Sequence, residues 1–318
     1  ARDQIRARPW QLSHPGPAWV VRGLKAGLAA PMFEGFDTFD RDVDGVTIHG
    51  VTGGAGPPLL LLHGYPQTHA MWHPIAVELA KSHRVIATDL RGYGASVCKD
   101  DNFTFRAMAT DQVKVMQALG HDRFDVVSHD RGARTAHRMV LDHPEAVLSV
   151  VLMDILPTLD VWRTMDAWLA KRYFHWVFLA QPGGIPADLI RKDPIQYLHA
   201  SLKGLTGCAD IMHPDAMKAY EIAANTPGVV EAWCGDYAAA ATIDLDHDRA
   251  DEGRTSDIPC LVLWGSKGVV NHHVDPLKTW QVWFPNATGQ AIDAGHFLVE
   301  ERPVDTLQAV QAHLSAVR

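Results

Sequence analysis

Phe124-Asp-Val-Val-Ser-His-Asp130-Arg-Gly-Ala-Arg-Thr-Ala-His-Arg-Met-Val-Leu141 changes its period halfway along. Residues 123–129 read as a short strand buried on both faces, and residues 132–141 take up the spacing of a helix. Asp130 falls on the turn between them. Ser128 and Gly132 put little bulk on either side, the small-x-nucleophile-x-small spacing that lets a central side chain project from a strained strand-to-helix turn. A carboxylate there attacks carbon and forms an alkyl ester of the enzyme. That confines the chemistry to displacement at a saturated carbon, with halides and epoxides as electrophiles. An aspartate just before a helix can instead serve as its N-cap, and the turn alone does not separate the two roles.

Outward from this turn, apolar runs at residues 46–51, 58–63, 84–89, 148–153 and 259–264 alternate with helical segments such as 72–81 and 105–119. Continuous apolar strands alternating with amphipathic helices specify an α/β fold, with a mostly parallel, doubly wound sheet covered on both faces. Between Asp154 and Ile258 the patterning is helical, broken by Pro and Gly, and holds Trp162, Trp168, Trp176 and Trp233. This reads as a helical cap, residues 156–255, inserted over the carboxyl edge of the sheet, where such folds bind ligands. The core is expected at 32–155 and 256–318. Residues 1–31 carry Arg2, Arg6, Arg8, Pro9, Pro15, Pro17 and Arg22 without a clear period, and read as an N-terminal extension outside the fold. The apolar run 23–31 is interrupted by Lys25 and too weak for a signal peptide.

A chain of 318 residues, 47% hydrophobic, is ample for one large core with an insertion. The net charge of −8 is spread without a basic block, which gives no support for a nucleic-acid partner. No apolar run approaches the length that spans a bilayer. Cys98, Cys208, Cys234 and Cys260 lie far apart, with neither metal-ligand nor CxxC spacing, and read as free thiols in the cytoplasm.

Other segments supply what a nucleophile at Asp130 needs. His63-Gly64-Tyr65-Pro66 follows a buried strand, so the backbone N–H groups of Tyr65 and Arg131 are candidates for an oxyanion hole. The glycine-bearing turn 89–96 reads as structural. His296, in Gly295-His296-Phe297, follows the nucleophile and the acid in chain order and is the candidate base. A base needs a carboxylate to fix its tautomer. The run 264–270 offers none and Asp275 comes several residues late, so Asp154 is the candidate orienter. Arg131 and Arg134 share one face of the helix's first turn, where cations oppose the macrodipole. Their presence beside a capped pocket points to a substrate bearing its own carboxylate, which arginine grips with two N–H donors.

From Met32 onward the chain resembles the fluoroacetate (haloacetate) dehalogenases of the α/β-hydrolase fold. The resemblance runs through His63-Gly-Tyr-Pro-Gln, Asp89-Leu-Arg-Gly-Tyr-Gly, His129-Asp-Arg-Gly-Ala-Arg134, Asp154-Ile-Leu-Pro-Thr158, His175-Trp176 and Gly295-His-Phe. It implies a haloacid substrate whose carboxylate is bound by Arg131 and Arg134, and a departing halide that hydrogen-bonds to His175, Trp176 and a cap tyrosine. Tyr237 matches that tyrosine, although Ala238 stands where the family often has arginine. It also implies a homodimer, and a reaction that needs neither metal nor cofactor. The alternative is an epoxide hydrolase, with Tyr173, Tyr197, Tyr220 and Tyr237 as candidate proton donors. A neutral epoxide would leave the two arginines unpaired, as would a haloalkane. A catalytically dead hydrolase fold acting as a ligand receptor is the reading from another class, and trapping of an ester intermediate would tell them apart.

Overall fold

The computed structural model describes residues 32–206, 211–272 and 274–318. The extension expected over residues 1–31, and Cys208, lie outside the described residues. Cys98, Cys234 and Cys260 are free thiols.

Each apolar run forms a strand: β2 (Val46–Gly53), β3 (Pro58–Leu62), β4 (Arg84–Thr88), β6 (Phe124–His129), β7 (Val147–Met153) and β8 (Cys260–Gly265). Three further strands, β1 (Phe36–Val43), β5 (Val97–Cys98) and β9 (Thr288–Ile292), carry no apolar run. The sheet runs β1-β2-β4-β3-β6-β7-β8-β9, with β5 paired to β2. From β4 to β9 neighbouring strands are parallel, while β1 and β4 both pair antiparallel with β2. Polarity follows position. Every residue of β6 is buried, whereas only Ile292 of β9 is, because an edge strand has one neighbour and a wet flank.

The order β4-β3-β6 means that the chain leaves β3 toward one side, returns, and then crosses to the other. The carboxyl ends of β3 and β6 therefore diverge at a topological switch point, where a crevice opens. Tyr65 follows β3 and Asp130 follows β6, so the topology alone puts both at that crevice. Helices Thr158–Arg163 through Ile243–Ala250 intervene between β7 and β8 and supply the roof.

At the turn Asp130 does not act as a side-chain cap. Asp130 occupies the N-cap position of helix Arg131–Asp142 with φ 47° and ψ −116°, and its side chain makes no capping bond. A non-glycine residue in that conformation costs roughly 1–3 kcal/mol and persists only where its surroundings over-determine it. They do so through close approach: a Cβ on Gly132 would lie 2.4 Å from the His63 carbonyl, and one on Gly64 would lie 2.3 Å from Asp130 Cβ. Gly132→Ala is expected to destabilise the fold by about 1–3 kcal/mol, read as a lower denaturant midpoint. Gly204→Ala, with open space around its Cβ, should be neutral or stabilising by up to about 1 kcal/mol.

Candidate active site

Asp130 is 7% exposed, yet its carboxyl is ionised across the working range. Burial pushes it up, but the charges of His296, His129, Arg131 and Arg134 outweigh that and hold it at about 2. Its two oxygens differ. Oδ1 accepts the Tyr65 backbone N–H at 2.8 Å, while Oδ2 lies 3.9 Å from His296 Nε2, too far for a hydrogen bond. Among the described residues the Arg131 N–H makes no hydrogen bond to this carboxylate, so the candidate oxyanion hole has one of its two expected donors engaged. Among the described residues Oδ2 accepts no hydrogen bond.

His296 Nδ1 lies 2.6 Å from Asp154 Oδ2, and Asp154 Oδ1 accepts the Gly265 N–H at 2.8 Å. An ionised carboxylate only accepts, so Nδ1 carries the hydrogen and Nε2 presents a lone pair toward Asp130. Burial lowers the pKa of His296, but the hydrogen bond and charge of Asp154, then the charge of Asp130, raise it above the ordinary histidine value. His129, kept neutral at about 3 chiefly by burial, lies with Nε2 2.8 Å from the His296 carbonyl and so donates to it. It fixes the backbone of the candidate base.

The two arginines are not equivalent. Arg131 is fully buried and latched to the cap: Nε donates to Asp236 Oδ2 at 2.8 Å, and Nη2 donates to Asp236 Oδ1 and to its carbonyl. Tyr93 donates to the same carboxylate at 2.6 Å. The rings of Tyr237 and Phe105 cover the guanidinium at 4.1 Å and 4.5 Å. Only Nη1 has no partner among the described residues. Among the described residues Arg134 hydrogen-bonds to no carboxylate; Nη1 donates to the Leu156 carbonyl at 2.7 Å and to Thr158 Oγ1 at 3.2 Å. Burial and the neighbouring Arg131 charge push its pKa down to about 10. Arg134, not Arg131, lines the cavity above Asp130; the Asp130 charge is the anion it senses, and among the described residues no carboxylate is hydrogen-bonded to it.

That cavity, about 250 Å3 counted to its mouth, joins Asp130, His296 and Arg134 to His175, Trp176 and Tyr237 of the cap. His175 stacks on Tyr65 at 5.6 Å and is held neutral at about 3 by burial, so it can donate one N–H. Trp176 stacks on Tyr173 at 5.8 Å, with the Arg134 guanidinium 4.6 Å from its ring. Of the cap phenols, Tyr173 and Tyr237 line this cavity. Tyr197 instead meets Tyr65 Oη at 3.2 Å, and Tyr220 donates to Glu300 at 2.9 Å. His49, His69 and Asp89 are the one group of described residues that brings metal-ligand atoms within 4.8 Å of one another. Asp89 is taken up by the His69 and Ala95 N–H groups at 2.8 Å and 2.9 Å, which hold the turn after β4.

Sequence reasoning missed Asp236, although an acid inside the apolar helix Val229–Ala240, past Glu231 of its first turn and next to Tyr237, is the kind of signal that marks a buried partner.

Residues 57–303 match the model of the α/β-hydrolase fold family, and the strand order and nucleophile turn are those of that class. The chain is an α/β hydrolase. It is 42% identical over 294 residues to the fluoroacetate dehalogenase of a Burkholderia species, covering 90% of this chain and 96% of that one. It therefore belongs to the fluoroacetate dehalogenase family. A crystal structure of an α/β hydrolase from Nostoc sp. PCC 7120 superimposes with a TM-score of 0.86 at 46% identity, over 88% of this chain and 98% of that one. A soluble epoxide hydrolase from Corynebacterium sp. strain C12 is 31% identical, over 82% and 91% of the two chains.

Removing one partner of a buried ion pair costs about 3–5 kcal/mol because the other charge is stranded. Asp236→Leu is expected to lose that much in urea unfolding. The double variant Arg131→Met/Asp236→Leu should recover most of it. Recovery of less than about half would mean that the pair itself, rather than the stranded charge, carries the stability.

Proposed function

We propose that the chain hydrolyses haloacetates such as fluoroacetate and chloroacetate to glycolate and halide, through an ester on Asp130. The observation that carries this reading is Arg134: a buried cation with no carboxylate hydrogen-bonded to it among the described residues, facing the cavity that holds the ionised Asp130. A neutral substrate would leave Arg134 without a hydrogen-bonded anion, whereas a haloacid supplies one. Arg131, which does not line that cavity, contributes its charge from beneath.

Asp130 Oδ2 attacks the halogen-bearing carbon and the halide departs with the bonding electron pair. His175, Trp176 and Tyr237 donate to it, which matters most for fluoride because its charge is concentrated in a small volume. Oδ1 becomes the ester carbonyl oxygen, already on the Tyr65 N–H. His296 Nε2 then takes a proton from water, which adds to the ester carbonyl carbon. Collapse breaks the bond to Oδ2, which leaves as the hydroxyl oxygen of glycolate after taking the proton held on His296 Nε2, and the water oxygen remains on Asp130. The enzyme acts on a free small acid as a cytoplasmic homodimer, with neither nucleic acid nor membrane as partner; no described helix is long and apolar enough to cross a membrane. The epoxide reading draws on Tyr173 and Tyr237 in the same cavity, and styrene oxide tests it directly.

Chloride release from chloroacetate and chloroacetamide checks the carboxylate site. Arg134→Ala should cost at least about tenfold in kcat/KM on chloroacetate, the scale of one charged hydrogen bond. The amide, lacking the anion, should be a poor substrate for the parent enzyme. Equal turnover of acid and amide would rule out the clamp.

The two half-reactions separate in the base variant. His296→Asn should release about one halide per site and stall as an ester on Asp130, seen by mass spectrometry, while Asp130→Asn releases none. Acid should act on the second half only. With Asp130 titrating at about 2, the single-turnover burst of the parent enzyme stays flat from about pH 5 to 9. Steady turnover needs neutral His296, whose pKa is raised, so it should fall as pH drops through a value above the ordinary 6.5. A burst that falls in parallel would place a titrating group in the first step.

A further inference from the structure

His296 follows the edge strand β9, and the chain turns sharply beyond it. Phe297 has φ −94° and ψ 64°, and the Leu298 N–H closes onto the His296 carbonyl at 3.2 Å, an inverse γ-turn. The candidate base thus sits between the end of the sheet and the helix Leu298–Glu301, within neither.

The half-buried Glu301 reaches back across this turn. Its Oε2 accepts the Gly295 N–H at 2.6 Å and its Oε1 accepts the Phe297 N–H at 3.0 Å, so the two oxygens bracket His296 on both sides. The His296 N–H donates to the Leu205 carbonyl of the cap at 3.2 Å, and the His296 carbonyl takes the bond from His129. A glutamate in the first turn of a helix ordinarily reaches back to one N–H, that of the N-cap residue. Here Phe297 is the N-cap, and the bond to Gly295 lies outside the helix, where a cap has no need of it. Joining the N–H groups of residues 295 and 297 fixes the backbone of the residue between them, and with it the direction of the imidazole. That direction matters because one ring serves two ends: Nδ1 stays on Asp154 while Nε2 must meet the water that attacks the ester on Asp130.

We propose that Glu301 is a positioning residue for His296, its carboxylate tying the N–H groups on either side of the base so that the imidazole stays aligned for hydrolysis of the ester. The inference rests on the Asp130-ester reading and adds a group to it. Displacement of halide needs no base, so only the second half-reaction depends on Glu301. Charge works alongside geometry. Burial lowers the pKa of the His296 ring, while Asp154, Asp130 and Glu301 raise it; His129 and the cap's His175, the other titratable groups beside it, are kept neutral by burial.

The test follows chloroacetate through one turnover by rapid quench, with chloride reporting ester formation and mass spectrometry reporting ester decay on Asp130. Glu301→Gln keeps the size of the side chain, loses its charge and turns an amide donor toward one of the two N–H groups. Ester decay should slow about ten- to hundredfold, the scale of a misplaced catalytic group, while the chloride burst stays within about twofold of the parent. The acid limb of steady turnover should move to lower pH, because a charge that favours the imidazolium is gone. Glu301→Asp keeps the charge on a side chain too short to span both N–H groups, and serves should Glu301→Gln not fold: it should slow ester decay and leave the acid limb in place. Parent-like ester decay in whichever variant folds, or equal losses in burst and decay, would reduce Glu301 to a helix cap and overturn the proposal. A parent enzyme that gives neither chloride burst nor ester would instead overturn the Asp130-ester reading, and this proposal with it.

Discussion

An ionised carboxylate kept almost out of water is the constraint around which the rest is arranged. Asp130 can be a nucleophile only if it is poorly hydrated, and it can be poorly hydrated only if fixed donors and cations replace the lost water. The Tyr65 N–H does this for one oxygen, and the Arg131 and Arg134 charges do it through space. None of them could be placed without the divergence of β3 and β6 at the switch point, or without the strained backbone at Asp130 that aims the side chain upward.

The same economy explains why helix Arg131–Asp142 is so polar and so buried. Residues 131–141 are all buried, yet they include Arg131, Arg134, His137 and Arg138. Each has a separate reason to be there. Arg138 meets Asp142 at 2.9 Å and Asp251 at 2.6 Å, and His137 packs edge-on to Trp280 and Trp283. Arg131 and Arg134 oppose the helix dipole, and both are tolerable only because something answers their charge. For Arg131 the answer is the Asp236 carboxylate; for Arg134 it is the Asp130 charge nearby, with the Leu156 carbonyl and the Thr158 hydroxyl as hydrogen-bond acceptors.

Much of this was legible in the sequence because it is local. The strand-to-helix change of period around Asp130, the buried runs and the aromatic-rich insertion are all properties of short windows. Asp154, His296, Tyr65 and Arg134 could be named because each follows a strand end or opens a helix, and the topology gathers such ends. Contacts between distant segments were not legible. The pairing of Arg131 with Asp236 spans 105 positions, and no spacing rule predicts it. Nor does one predict the buried cluster of Gln67, Tyr220 and Glu300, in which burial pushes the Glu300 carboxyl up to about 8. β1 and β9 escaped because an edge strand need not be apolar.

The latch between Arg131 and Asp236 has a consequence for ancestry and engineering alike. A cap inserted between two strands invites treatment as a detachable module, to be exchanged among relatives so that one chemistry can meet new substrates. Here the core half of the pair sits immediately after Asp130, and the other half is in the roof. A borrowed cap that brought no acid to this position would leave a naked guanidinium under the reaction centre, so the two halves must be inherited, or redesigned, together.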